Sequence, residues 1–238
     1  MVIWRRHLGY KQRYWLTEFE TCRTSGADRM TFSFVLLQNA LLNTHVPYKY
    51  MPREVKELGC KIVHLLQNPK DLAVSLYNHT LGIHLFEYHG KWEHFLPLFL
   101  QGKTDCNSWF DYVLSWEQVI SDNPGFPIHL IYFEDLKQNT LHELYRLGQF
   151  LSIEDKDGLF KDIAKKCQFS NMVRDKQQHN GTESEFIRDG FSFFRKGEIG
   201  DWKNWFTVKQ SETFDKIYKD KMSGTKRKFI YDYGTATL

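Results

Sequence analysis

Cysteine is scarce in this chain: four in 238 residues, Cys22, Cys60, Cys106 and Cys167, with no C-x-x-C pair and no histidine at zinc-finger spacing. That spacing argues against a metal site or a disulfide framework and suits a reducing, cytoplasmic compartment. No apolar run approaches the roughly 20 residues that a membrane-spanning helix needs. The opening Met1-Val2-Ile3-Trp4-Arg5-Arg6 lacks the apolar core of a signal peptide, so no membrane partner is expected. An excess of charge of either sign is also nearly absent, with 32 Lys and Arg against 29 Asp and Glu. A formal net charge of +3 is too small to call for nucleic acid as a partner, yet it leaves room for a local basic patch that takes a small anion. There is no internal repeat and no low-complexity linker. Asn78-His79-Thr80 and Asn180-Gly181-Thr182 match the glycosylation pattern, but such triplets are frequent by chance and read as unmodified in a chain outside the secretory route.

What is present is an ordinary globular composition, 42% hydrophobic and 16% aromatic, long enough for one domain over residues 1–238. Pro52 followed by Arg53 to Leu58 and closed by Gly59 reads as a short helix. Lys61-Ile62-Val63-His64-Leu65-Leu66 then reads as a parallel strand covered on both faces, ending at the turn Gln67-Asn68-Pro69. Lys70 to Tyr77 opens the next helix, with Ser75 in its early turns. Trp109, Tyr112, Val113, Trp116, Val119 and Ile120 recur at helical spacing and form a core stripe that carries no chemistry. Ile128 to Phe133 reads as a second strand ending at Glu134-Asp135, followed by a helix with Leu141, Leu144, Tyr145, Leu147 and Leu151. Alternating strand and helix signals predict an α/β domain with a parallel sheet flanked by helices. Residues 175–185 read as an exposed loop.

The chemistry concentrates in Phe191-Ser192-Phe193-Phe194-Arg195-Lys196-Gly197-Glu198-Ile199-Gly200-Asp201-Trp202-Lys203. Glycines let the backbone approach an anion closely, Arg195 can grip a phosphate in bidentate fashion, and Phe193 or Phe194 can flank a purine ring. Composition alone favours a turn with a solvated Arg-Lys pair.

Four segments occur in order: Thr44-His45-Val46-Pro47, then Asn68-Pro69-Lys70-Asp71-Leu72-Ala73-Val74-Ser75, then Phe133-Glu134-Asp135-Leu136-Lys137, then Arg195-Lys196-Gly197 running into Gly200-Asp201-Trp202-Lys203. In that order and spacing they resemble the cytosolic sulfotransferases, which move a sulfuryl group from 3′-phosphoadenosine 5′-phosphosulfate (PAPS) to a hydroxyl or amine of a small acceptor. The resemblance is best over residues 41–231. It implies a single-domain, P-loop-kinase-like sulfotransferase fold in which PAPS is the donor and no metal takes part. His45 would be the catalytic base. Ser75 would donate to the 3′-phosphate, with Arg195, Lys196 and Gly197 on its other side, Phe169 stacking on the adenine, and Phe193 and Phe194 lining the pocket. Phe86, Tyr88, Trp92, Phe95 or Tyr48 could line an acceptor pocket. Lys203, Thr207, Val208 and Glu212 match the family's dimerisation pattern and imply a homodimer, while Thr207 also reads as the N-cap of a helix holding Phe214, Ile217 and Met222.

Departures from the family pattern set limits. The family's first strand and its Tyr-Pro-Lys-Ser-Gly-Thr loop, which clasp the 5′-phosphosulfate, are missing. Arg23-Thr24-Ser25-Gly26 is a decoy without the lysine, and Met1 to Trp4 would correspond to the helix after that loop, as in an N-terminally truncated chain. Gln67 replaces an arginine, Phe133 a tyrosine, Cys167 a threonine or serine, and Asn43 a lysine. Charge-assisted hydrogen bonds are worth about 1.5–3 kcal/mol each, so these losses predict weakened donor binding and negligible turnover. They leave a second reading open: a catalytically impaired sulfotransferase-like protein, or an incomplete gene product, that retains the fold and the dimer contact.

Overall fold

The computed structural model describes residues 2–4, 41–105, 107–179 and 187–233. They divide into two compact units, one drawn from residues 1–66, 99–131 and 217–225, the other from residues 67–98, 132–216 and 226–238.

The first unit holds the sheet, in the order β2-β1-β3-β4, where β1 is Val2–Trp4, β2 Leu41–Asn43, β3 Lys61–Leu66 and β4 Ile128–Tyr132. β3 and β4 are the two strands read from the sequence and form its parallel part. Val2–Trp4 is not helical as expected. It runs antiparallel to both neighbours, Ile3 facing Leu42 on one side and Ile62 on the other. The apolar triplet Val2-Ile3-Trp4 suits a strand as well as a helix turn, and pairing with two partners satisfies its backbone groups. β3 is buried only at alternate positions, Ile62, His64 and Leu66, whereas Leu65 is 47% exposed. The continuous apolar run therefore packs one face rather than two. That face meets α4, Trp109–Asp122, whose Trp116 is fully buried with Val55, Cys60 and Ile62 and lies 4.9 Å from the His64 ring. The helical stripe is core, as its spacing implied. Before β3, Pro52 precedes α1, Arg53–Glu57, and Gly59 closes the turn in the left-handed region at φ 59°.

The second unit is mostly helical: α2 (Pro69–Gly82), most of α3 (Trp92–Leu100), α5 (Phe133–Gln138), α6 (Thr140–Leu151), α7 (Leu159–Lys166), α8 (Phe169–His179) and the start of α9 (Val208–Lys221). Two boundaries differ from the sequence reading. Phe133 opens α5 instead of ending β4, because the acidic pair Glu134-Asp135 suits a helix's first turn. Residues 175–179 continue α8 rather than forming a loop, and the rest of that expected loop lies outside the described residues. Thr207 caps α9 as expected: its Oγ1 accepts the Gln210 N–H at 3.2 Å while Gln210 Oε1 accepts the Thr207 N–H at 2.9 Å. Of the described cysteines, Cys60 is buried and Cys167 exposed.

Candidate functional site

The second unit is built around the N-terminus of α2. Asn68 caps the helix, its Oδ1 accepting the Asp71 N–H at 2.9 Å while its Nδ2 donates to Asp71 Oδ2 at 2.8 Å. Glu134, fully buried in the first turn of α5, accepts the Asn68 backbone N–H on Oε1 at 2.7 Å. The Asp71 carboxylate then reaches out of the helix to accept the Gly200 N–H at 2.7 Å and the Trp202 N–H at 2.8 Å. Burial pushes both Asp71 and Glu134 above their ordinary values, against the opposing pull of these hydrogen bonds. Lys70, also buried, donates to Ser211 Oγ at 2.8 Å, pairs with Asp215 at 2.7 Å and lies 4.4 Å over the Trp202 ring. The start of α2 thereby fastens the turn at Asp201–Asn204 and the first turns of α9.

Residues 187–202 travel back along α2 from its C-terminal end to its first turn. Ile187 bridges Ile83 and the Arg188 N–H bonds Gly82 O at 2.9 Å. The Phe191 ring lies where a Cβ on Gly82 would come within 2.0 Å of it, so only glycine allows this approach. Phe193 contacts the His79 ring at 5.8 Å, and Gly200 and Trp202 reach Asp71. Asp71, Ser75 and His79 recur at four-residue spacing on one helix face. Ser75, which is exposed, falls between the two points at which the segment touches that face.

At the far side of this strap Phe194 meets the Phe169 ring edge-on at 6.4 Å. Gly197 sits in the left-handed region at φ 63°, and a Cβ there would come within 2.6 Å of Phe169 Cδ2. The chain needs glycine at 197 both for its backbone angle and for the ring beside it. Arg195 and Lys196 turn to one buried carboxylate, Asp201, at 2.5 Å each. Asn204 and the Trp205 indole also donate to Asp201, at 2.8 and 3.2 Å. Burial would raise the Asp201 carboxyl, but the bonds from Lys196, Asn204 and Arg195 outweigh it and hold the group well below the usual carboxylate range. Trp205 and Phe206 are wedged among Tyr77, Trp92 and Phe214 at 5.1–5.8 Å between ring centres.

Of the residues singled out from the sequence, Phe169, Phe194, Arg195, Lys196 and Gly197 come together, and Ser75 lies on the helix face that the same segment follows. Phe193 does not join the Phe169 group; it packs instead on Phe191 at 5.1 Å and on His79. His45 belongs to the first unit, exposed on the loop between β2 and the short helical turn Tyr48–Tyr50, where Thr44 Oγ1 accepts the Val46 N–H at 3.2 Å. Gln67 follows β3, Phe133 opens α5, and Cys167 ends α7 exposed. Phe95 is core, 2% exposed and stacked among Tyr77, Tyr88 and Trp92, so it faces no acceptor pocket. Arg23-Thr24-Ser25-Gly26 lies outside the described residues. The sequence reading missed Asp71, Glu134 and Asp201 as organisers. Their signal was the pairing of Asn68-Pro69-Lys70-Asp71, a helix cap with its partner three residues on, with an aspartate inside the glycine segment. No group of three or more metal-ligating side chains occurs among the described residues.

Two rings, a cationic pair and a glycine packed against one of those rings thus lie together on an α/β scaffold, the side-chain types that an aromatic, anionic ligand calls for. The family model described as Sulfotransferase domain matches residues 10–226, beginning well before Leu41 and stopping short of Tyr231. This chain belongs to the sulfotransferase family. It is 36% identical over 210 residues to Sulfotransferase 1B1 of Canis lupus familiaris, covering 87% of this chain and 69% of that protein. Over 194 residues it is 34% identical to Sulfotransferase 1C2 of Homo sapiens, covering 81% and 64%. The chain spans about two thirds of the length of these curated relatives. The solved structure of mouse sulfotransferase SULT7A1 complexed with PAP superposes with a TM-score of 0.66 at 34% identity, covering 76% of this chain and 65% of that one. A retinol dehydratase structure shares the fold alone, with a TM-score of 0.67 at 21% identity over 77% of this chain and 53% of that one.

Proposed function

We propose that this chain is a PAPS-dependent sulfotransferase that moves the sulfuryl group to a hydroxyl or amine of a small acceptor; its 34–36% identity to named sulfotransferases supports this reading over the impaired relative with negligible turnover that the departures from the motif pattern predict. The observation that carries the reading is the strap along α2, which brings the Phe169–Phe194–Gly197 cradle and the Arg195-Lys196 pair onto the stretch that tracks the Ser75 face. These residues fit an adenosine nucleotide: the Phe169 ring fills the space a Cβ at Gly197 would need, and two cations stand next to it. A bound PAPS would supply an activated sulfuryl group and a phosphate leaving group. In this reading Phe169 and Phe194 flank the adenine. Ser75, Arg195, Lys196 and the Gly197 backbone hold the 3′-phosphate, and Phe193 supports the strap through His79. His45 would accept the acceptor's proton as a new S–O bond (hydroxyl acceptor) or S–N bond (amine acceptor) forms and the S–O bond to the donor phosphate breaks, leaving PAP, the desulfated product. The PAP complex of the SULT7A1 structure supports this choice of donor.

The family model runs across both compact units, which supports reading residues 1–238 as one sulfotransferase domain. The same family likeness supports a cytoplasmic location; among the described residues no helix is long and apolar enough to cross a membrane. We also infer a homodimer through Lys203, Thr207, Val208 and Glu212. Its support is Val208, a large apolar side chain left 77% exposed at the start of α9. Lys203 pairs with Asp232 of its own chain, so an inter-subunit role would require it to exchange partners. Light scattering tests this: Val208→Glu would bury a lone charge and should turn a dimer into a monomer, and a dimer before and after would remove the interface.

The activity test is transfer of radiolabelled sulfate from PAPS to a panel of phenols, alcohols and amines. Product lost on substitution of His45 is expected, and absence of product with every acceptor class would count against the reading.

A further inference from the structure

We propose that Asp201 is a positioning residue that aims Arg195 and Lys196 at a 3′-phosphate and so sets the preference for a 3′-phosphorylated nucleotide; this rests on the function proposed above. A carboxylate beside the cations meant for an anion looks counterproductive, since it cancels one of their two charges. The geometry resolves this. The Asp201 side chain is 1% exposed, whereas Arg195 and Lys196 are 29% and 44% exposed, so the carboxylate lies behind the cations and a ligand meets the cations first.

Both of its oxygens are occupied. Oδ2 takes Arg195 Nη1 and the Trp205 indole N–H; Oδ1 takes Lys196 Nζ and Asn204 Nδ2. A carboxylate offers about four lone-pair sites, so four donors fill it and fix its orientation. Arg195 has five N–H donors and Lys196 three, and each spends one on Asp201, which leaves donors on both part-exposed side chains for another acceptor. Without the carboxylate, two adjacent long side chains would repel each other and would have to be ordered by the ligand itself, at a cost of about 0.5–1.5 kcal/mol for each immobilised side chain. The turn that carries Asp201 is anchored on both sides, through the Gly200 and Trp202 N–H groups on Asp71. Asp71 stands one helical turn before Ser75, so one hydrogen-bonded frame carries the donors on both flanks of the proposed phosphate.

Isothermal titration of the full chain with PAP and with 5′-AMP, which lacks the 3′-phosphate, tests the inference. Wild-type protein should bind PAP more tightly than 5′-AMP; equal affinities would overturn the nucleotide reading and this inference with it. Asp201→Asn keeps the shape and removes the charge, and should weaken PAP about tenfold while changing 5′-AMP less than about twofold. Weakening of both nucleotides alike, or of neither, would overturn the positioning role and leave the nucleotide reading standing. In an Arg195→Gln/Lys196→Gln background the same substitution should lose most of its effect on PAP, because Asp201 acts through these two partners; a full effect there also overturns it. Should Asp201→Asn fail to fold, Asn204→Ala at an exposed position withdraws one of the four donors to Asp201 and should weaken PAP alone by roughly two- to fivefold, and unchanged PAP affinity would count against the inference.

Discussion

Two stretches outside the sheet strands and α-helices carry the proposed chemistry, and they are held in different ways. Residues 187–205 are fastened by a strand bridge, by aromatic rings on Gly82, His79 and Phe169, by two backbone N–H groups on Asp71 and by a buried four-donor carboxylate. In the loop at Thr44-His45-Val46-Pro47 the Thr44 Oγ1 accepts the Val46 N–H and Pro47 O accepts the Tyr50 N–H, both local bonds, and His45 is exposed. The difference matches what each stretch has to do. Gripping a nucleotide needs several donors fixed relative to one another before the ligand arrives, because ordering them on binding weakens affinity. A general base needs reach, a near-neutral pKa and access to a varied acceptor, and apo geometry at such a residue is often loose. Under the proposed function, a well-fastened cradle and an open base loop would divide the labour between binding and proton transfer.

The sharpest way to break that division is His45→Ala. Turnover should fall by about 10²–10⁴-fold, the usual worth of a general base, with PAP affinity within about twofold of wild type. Single-turnover rates and PAP titration on the same protein check both halves. If PAP binding were lost together with turnover, the base loop would be part of the cradle and the contrast would collapse.

Gly197→Ala strikes the other side. The new Cβ would stand 2.6 Å from Phe169 at a backbone angle that side chains rarely adopt, so either the ring or the strap must move. We expect PAP to bind about 10- to 30-fold more weakly, equivalent to about 1.4–2 kcal/mol. The rate of bound complex should be less affected than its affinity. Unchanged PAP affinity would show that the Phe169–Gly197 contact is only packing.

Much of this was legible in the sequence, and the reason differs by element. α4 was readable because its apolar residues repeat at helical spacing, and α1 because proline and glycine bracket it. The cradle residues were legible only through the order of four motifs, since a phenylalanine or an Arg-Lys pair has no periodicity that sets it apart from core or solvated surface. Phe193 and Phe194 show the limit: adjacent and identical, they point to different partners, His79 and Phe169, and only tertiary packing separates them. Asp71, Glu134 and Asp201 were hidden for a different reason. Burial of an acidic side chain depends on donors that arrive from elsewhere in the chain, such as the Gly200 and Trp202 N–H groups on Asp71, and a charged residue read locally is assigned to the surface. β1 failed because three apolar residues carry no period long enough to distinguish strand from helix.

The cradle's foundation offers the smallest but most specific effect. Glu134 is fully buried, its Oε1 accepts the Asn68 N–H, and its Oε2 has no hydrogen-bond partner among the described residues. Burial raises its carboxyl above the ordinary 4.5, more than the bonds from Asn68 lower it. A carboxyl raised on folding binds its proton more tightly in the native state, so its contribution to stability is greatest below the ordinary value. That contribution declines as pH climbs through the window between the ordinary and the raised value, then levels off. Glu134→Gln keeps an oxygen for Asn68 and removes the titration. The stability difference between variant and wild type should therefore move in favour of glutamine as the pH is taken from 4 to 7, while the residues it leaves untouched, Asp71 and Asp201 included, titrate in both proteins. Urea unfolding at a series of pH values reads this directly. If the two stability curves stay parallel across that range, the anchor of α2 is an ordinary ionised carboxylate, and the rigidity of the cradle draws on charge at Glu134 rather than on a neutral hydrogen-bonded frame.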